Sequence, residues 1–193
     1  MAENEYKPVE GLSIIGESIN DSVPSTHELL EKNDIKAIKN LAVFQAEKGA
    51  AYIDVNIGRR EPSLMAELIR EIQSEISLPL SVDSPDPQIL RAGLEAYDAE
   101  KANGKKPIVN SVSELRPEIF GLYSIQPFMP ILMSSERAEN GKKEQNKTGD
   151  DVYRTALNLK KAAEERCPGI ENDDLIIDPG IAPIGTDFEK MLK

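Results

Sequence analysis

The chain has 193 residues, enough for one domain or two small ones. Lys and Arg total 23 against 34 Asp and Glu, a net charge of −11, and 39% of residues are apolar. That is too apolar for a disordered chain and too acidic for a general nucleic-acid binder, and the longest apolar stretch, Pro127 to Met133, is far short of the ~20 residues of a membrane helix.

Residues 1–10 are polar and are expected to form a loose tail ahead of one domain over 11–193. The first strand is expected at Leu12 to Ile15, ending at Gly16. A helix follows from an N-cap at Asp34, with Ile35, Ile38, Ala42 and Ala46 at helical period as far as Gly49. Tyr52 to Val55 reads as a strand broken at Gly58, and Leu64, Leu68, Ile72 and Ile76 mark the next helix. Leu80 to Val82 is a strand, and Asp86-Pro87 is a strong helix start, with Asp at the N-cap and Pro in the first turn. Pro107 to Val109 is the fourth strand, followed by a short helix from Leu115 to Tyr123. Pro127 to Met133 is the fifth strand. The polar tract Glu136 to Asp151 has no apolar period and reads as a long surface loop. Val152, Ala156, Leu159 and Ala163 mark another helix, Leu175 to Ile177 is the sixth strand, and Asp187 would cap a final helix.

Six βα-like units in a row, with strands apolar on both faces, indicate a parallel sheet covered by helices. An open doubly wound sheet and a (β/α)8 barrel both fit, but no G-x-G-x-x-G follows the first strand, which weakens the dinucleotide-binding reading. The strand ends favour a barrel. They carry Glu17 and Asn20, then Asp54 and Asn56, then Asp83, then Asn110 and Ser111, then Asp178. In a barrel these ends converge on one mouth, where active sites lie. Carboxylates and carboxamides there suit a ligand rich in ring N–H and amino donors with carbonyl acceptors, and do not suit a phosphate. The same residue types also form turns and cap helices, and Asp178, in Asp178-Pro179-Gly180, is open to that reading.

With one cysteine and one histidine, an internal disulfide and a Cys/His zinc site are excluded. His27 falls in an expected surface loop, Cys167 at a helix end, and Arg59-Arg60 at a solvated helix start. The acidic Met1 to Glu5 has no apolar run behind it, so no signal peptide is expected and a cytoplasmic location is.

Five segments occur in this order: Ile15-Gly16-Glu17-Ser18-Ile19-Asn20, Ile53-Asp54-Val55-Asn56-Ile57-Gly58, Leu80-Ser81-Val82-Asp83-Ser84, Ile108-Val109-Asn110-Ser111-Val112-Ser113 and Leu175-Ile176-Ile177-Asp178-Pro179. Together the sequence resembles the pterin-binding methyltransferases, which include methyltetrahydrofolate:corrinoid/iron–sulfur protein methyltransferases and the folate domain of cobalamin-dependent methionine synthase, with dihydropteroate synthase a more distant relative. The resemblance covers about residues 11 to 188. It implies a (β/α)8 TIM barrel of the dihydropteroate synthase-like type, with the first six βα units in this chain. It also implies a pterin whose pyrimidine edge is bonded by Asp83, Asn110 and Asp178. Asp54, Asn56, Glu17, Asn20 and Ser111 would line or support the pocket.

The implied reaction passes a methyl group between nitrogen-5 of tetrahydrofolate, the substrate, and the cobalt of a corrinoid (cobalamin) carried by a partner protein. The implied hydrogen bond to nitrogen-5 comes from an asparagine near a seventh strand, which would lie beyond Lys193. A barrel of this type runs to ~250 residues, so two strands are expected to be missing and the sheet edges to be covered by a second copy or a second chain. The alternatives are a dihydropteroate synthase-like enzyme and a non-catalytic pterin-binding scaffold. No contact with nucleic acid or membrane is expected.

Overall fold

The computed structural model describes residues 11–180. The tail over 1–10 and the helix expected after Asp187 lie outside the described residues. Chain order is β1 (Ile15–Asn20), α1 (Pro24–Glu31), α2 (Ile35–Glu47), β2 (Tyr52–Asn56), α3 (Pro62–Ile72), β3 (Leu80–Asp83), α4 (Pro87–Ala96) and β4 (Ile108–Val112). There follow a 3-10 helical segment (Pro117–Ser124), β5 (Met129–Met133), β6 (Glu136–Glu139), β7 (Lys142–Gln145), α5 (Gly149–Arg166), a 3-10 turn (Asn172–Asp174) and β8 (Ile176–Asp178).

Six strands pair in parallel in the order β1-β2-β3-β4-β5-β8, with helices between them. No neighbour is out of sequence apart from the hairpin inserted between β5 and β8. A doubly wound sheet reverses its order at a switch point; this sheet does not, and it is an arc of a (β/α)8 barrel. Ile53, Val55, Leu80, Val82 and Val109 are buried with Met65, Leu68, Ile69, Ile72, Leu90 and Leu94 of the flanking helices in one core. The residues alternating with them, Asp54 and Asn56, Ser81 and Asp83, and Asn110, take the other face of the sheet. Lower on that face, the Tyr52 hydroxyl donates to Met129 Sδ at 3.4 Å, linking β2 to β5.

Two helix starts expected from the sequence are capped as read. The Asp34 carboxylate accepts from the Ala37 amide at 3.0 Å, and the Asp86 carboxylate from the Gln88 amide at 2.8 Å. Three expectations are corrected. First, β1 begins at Ile15 rather than Leu12, and Gly16 to Asn20 is strand, not a tail after it. Its register against β2 shifts between Gly16 and Ile19, where β1 leans on α2: the Ser18 amide donates to Gln45 Oε1 at 2.9 Å. Second, the segment around His27 is helix α1, whose only buried residues are Thr26 and Leu30, too few to give an apolar period. Third, the tract after Glu136 is an antiparallel hairpin, β6–β7, not a loop. Its outer residues are exposed, so no apolar period marks them. The signal is Asn140-Gly141, both at positive φ (52° and 74°), the pair a tight hairpin turn needs.

Helix α4 lies close on the sheet at Gly93, where a Cβ would fall 2.6 Å from Val82 Cγ1 and 3.1 Å from Met65 Cγ. Gly93→Ala gains ~1 kcal/mol of helix propensity but overpacks this contact at ~1–3 kcal/mol. Urea denaturation is therefore expected to find the variant less stable than the native protein. Equal or greater stability would mean that α4 moves off the sheet freely.

Candidate functional site

Parallel register places the strand-end side chains. Asn20 of β1 pairs with Asn56 of β2, Asn56 with Asp83 of β3, and Asp83 with Asn110 of β4, so the four stand abreast across four strands. One step lower, Asp54 pairs with Ser81. Hydrogen bonds join neighbours within each row. Asn56 Nδ2 donates to Asp83 Oδ2 at 2.8 Å, and the Ser81 hydroxyl donates to Asp54 Oδ1 at 2.5 Å. Asn56 is itself fixed, because its Oδ1 accepts the Gly58 amide at 2.8 Å.

Asp54 is 1% exposed, and its Oδ2 is buried with no hydrogen bond of its own among the described residues. Its pKa is pushed up to about 7, chiefly by burial and then by the charge of Asp83, with Glu17 adding to it. The Ser81 hydroxyl and the nearby Asn110 carboxamide act in the opposite direction. Asp83 is only partly buried, and its carboxyl too is raised by burial and by Glu17, against the Asn56 hydrogen bond and the charge of Arg116. Glu17, Asp54, Asp83, Asn56, Asn110 and Arg116 therefore share one neighbourhood. Among the described residues no hydrogen bond reaches Asp83 Oδ1, and the Asn110 carboxamide, whose one side-chain interaction there is with Asp54, has further donor and acceptor positions, so both keep capacity for a ligand. Among the same residues no cluster of three carboxylate, His or Cys side chains is arranged to hold a metal ion.

The remaining sequence candidates are placed differently. Asn20 turns its Oδ1 to the amide and hydroxyl of Ser22, at 2.9 and 2.7 Å, closing its own turn. Ser111 is buried, and both its carbonyl and its hydroxyl face Arg116 Nη2, at 3.1 and 3.4 Å. Asp178 stands opposite Met133 on β5, and its Oδ1 accepts the Gly180 amide at 2.7 Å. That is a turn-forming contact, and it leaves the other carboxylate oxygen without a partner among the described residues.

Two cations were not legible as part of the site. Arg116 also donates to the Pro85 carbonyl at 3.2 Å, so it bridges the loops after β3 and β4. Its only sequence signal is a lone cation six residues past Asn110. Arg60, read as a solvated helix start, is instead 18% exposed and paired with Asp21 and Glu31. Helical position alone does not reveal acidic partners contributed by another loop.

A model of the family described as pterin binding enzyme matches residues 17–192. The chain belongs to the pterin-binding enzyme family. It is 39% identical over 105 residues to a methylcorrinoid:tetrahydrofolate methyltransferase of Eubacterium limosum, an alignment covering 52% of this chain and 36% of that one. Among solved structures it is similar to dihydropteroate synthase of Xanthomonas albilineans in complex with 7,8-dihydropteroate, at 20% identity and a TM-score of 0.57, covering 88% of this chain and 59% of that chain. It is also similar to 7,8-dihydropteroate synthase of Vibrio fischeri ES114, at 18% identity and a TM-score of 0.61, covering 94% and 66%. At these identities the synthases speak for the fold, which is the dihydropteroate synthase type of barrel in part. The chain spans about a third of the length of the curated relative and about six-tenths of the first synthase.

The raised pKa of Asp54 has a measurable consequence. Between the ordinary carboxyl value near 4 and about 7, the folded protein holds a proton that the unfolded chain has released. Stability therefore falls as pH rises through that window, by at most ~1.4 kcal/mol per pH unit from this group, and levels off above it. Asp54→Asn is expected to flatten that part of the slope in urea denaturation at pH 5, 6, 7 and 8. An unchanged slope would mean that Asp54 ionises in the folded state at its ordinary value.

Proposed function

We propose that the chain binds tetrahydrofolate or methyl-tetrahydrofolate by its pterin ring and is part of a methyltransferase that exchanges the methyl group with a corrinoid on a partner protein. The observation that carries this reading is the row Asn56–Asp83–Asn110, with open hydrogen-bonding capacity on Asp83 and Asn110 at the strand ends. A pterin presents an amino group, a ring N–H and a carbonyl along one edge. A carboxylate takes two parallel N–H bonds from such an edge, and a carboxamide both donates and accepts. Asp83 takes the donors, Asn110 spans donor and acceptor, and Asp178 supplies a further carboxylate from β8. Asp54 sits below as a carboxyl that holds a proton near neutral pH, which lessens repulsion around Asp83 when it is ionised. Glu17 and Asn20 complete the wall at β1, and Ser111 acts by anchoring Arg116.

The corrinoid, when its carrier protein docks, supplies the second methyl site. In the direction that demethylates N5, the N5–methyl bond would break as the methyl carbon bonds to the corrinoid's cobalt, the electron pair of the broken bond staying on nitrogen, and a hydrogen bond that strengthens as that pair develops would stabilise the transition state. This chain's own residues bind and orient the ring for that displacement. The methyltransferase reading is favoured over dihydropteroate synthesis by the 39% identity to the corrinoid-dependent enzyme.

Asp83→Ala and Asn110→Ala are each expected to weaken tetrahydrofolate binding by ~1–3 kcal/mol in calorimetry, the usual cost of leaving a buried polar partner unpaired. Methyl exchange with a methylcorrinoid protein is the companion assay. Unchanged affinity in both variants would remove the row from the binding site, and dihydropteroate formation in place of methyl exchange would transfer the reading to the synthases.

A further inference from the structure

Beside the proposed pterin site, two strand-end loops are joined by a dense polar contact. Arg60, after β2, pairs through Nη1 with Asp21, after β1, and through Nη2 with Glu31 of α1 at 2.6 Å. Nη1 also donates to the Ile57 carbonyl at 3.0 Å, and His27 Nδ1 lies 2.8 Å from Asp21 Oδ1. The Asp21 amide in turn donates to the Asn56 carbonyl at 3.1 Å. Gly58 sits beneath Asp21 at φ +64°, and a Cβ there would fall 2.2 Å from Asp21 Oδ2. Only glycine fits that conformation and that approach without strain.

The Ile57 carbonyl and the Gly58 amide are the two ends of one planar peptide unit. Holding the carbonyl therefore aims the amide. That amide donates to Asn56 Oδ1, and this bond decides which way round the Asn56 carboxamide lies. With Oδ1 engaged, Nδ2 faces Asp83 as a donor at 2.8 Å. A flipped carboxamide would set oxygen against the Asp83 carboxylate and an amine against the Gly58 N–H. We propose that Arg60 and Asp21 are positioning residues: they clamp the Ile57–Gly58 peptide so that Asn56 is kept as a hydrogen-bond donor to Asp83.

Asp83 faces Asn56 and Asp54 from β2, Glu17 from β1 and Arg116 from the loop after β4, and of these Asn56 and Arg116 favour its ionised form. Releasing the clamp weakens the Asn56 bond and leaves burial and the charge of Glu17 opposed by Arg116 alone, so the Asp83 carboxyl must titrate at higher pH. The consequence for ligand affinity rests on the pterin-site reading; the consequence for Asp83 does not.

The test is a carboxyl-carbon NMR titration of Asp83 in the ligand-free native protein, Arg60→Ala and Arg59→Ala, with tetrahydrofolate calorimetry alongside. Arg59 is exposed and carries the same charge one residue away. Arg60→Ala is expected to raise the Asp83 midpoint and to weaken tetrahydrofolate binding about three- to tenfold, the range of one net hydrogen bond. Arg59→Ala is expected to leave both close to native. An Asp83 midpoint that is unchanged in folded Arg60→Ala, or that moves equally in Arg59→Ala, overturns the proposal. If Arg60→Ala loses its native spectrum, Arg60→Lys replaces it: a single ammonium keeps the charge but cannot span Asp21, Glu31 and the Ile57 carbonyl, so the midpoint is expected to rise, and an unchanged midpoint overturns the proposal. Absence of tetrahydrofolate binding by the native protein would overturn the pterin reading, while the carboxyl titration would still decide the clamp.

Discussion

The parallel register of β2, β3 and β4 is the constraint on which the site depends. It sets Asn56, Asp83 and Asn110 abreast and Asp54 beside Ser81. The register is held from the opposite face of the sheet, where Ile53, Val55, Leu80, Val82 and Val109 are buried in one core with residues of α3 and α4. A slip of one residue would turn every side chain of a strand over. In β2 it would drive Asp54 into the helix layer and turn Ile53 and Val55 out of the core, and in β3 it would do the same to Asp83 and to Leu80 and Val82. The polar row is thus fixed in place by hydrophobic packing behind it.

Gathering Glu17, Asp54 and Asp83 in one region costs free energy twice, through burial and through repulsion of like charges. The fold offsets this with uncharged donors: Ser81 on Asp54 and Asn56 on Asp83. Among the described residues, Arg116 adds the one cation that bears on Asp83. What remains is a carboxyl raised to about 7 and a second one shifted the same way. Raised carboxyls gathered at neighbouring strand ends support the proposed binding role of this row. The chain belongs to a family described as pterin binding, and the row stands at the C-terminal strand ends, the end at which barrel active sites lie.

The loops around the mouth are stiffened by side chains contacting backbone rather than by packing. Arg116 holds the Pro85 and Ser111 carbonyls, Arg60 holds the Ile57 carbonyl, and the Asp178 carboxylate takes the Gly180 amide. Each contact orients a peptide unit next to a site side chain. Exposed loops carry little apolar surface to bury, so their precision comes from hydrogen bonds.

The sequence by itself determined the elements with strong local signals. Helices α2 and α4 were legible because apolar period and an Asp cap agree, and β2, β3 and β4 because short apolar runs end in polar residues. The polar strand ends also named the residues of the proposed site. Helix α1 escaped because it buries only Thr26 and Leu30, and the β6–β7 hairpin because its strands are polar and largely exposed. Only the tertiary structure decided which strand-end residues meet. Asp54, Asn56, Asp83 and Asn110 converge, whereas Asn20 turns to Ser22 and Asp178 to Gly180. It also decided that Arg60 pairs with Asp21 and Glu31 and that Arg116 bridges two loops. Those roles depend on carbonyls and carboxylates contributed by other parts of the chain, up to 39 residues away for Arg60 and Asp21. Local pattern encodes what a segment does with its own backbone and its own buried face. Long-range pairing of polar groups is settled only when the sheet register brings the loops together.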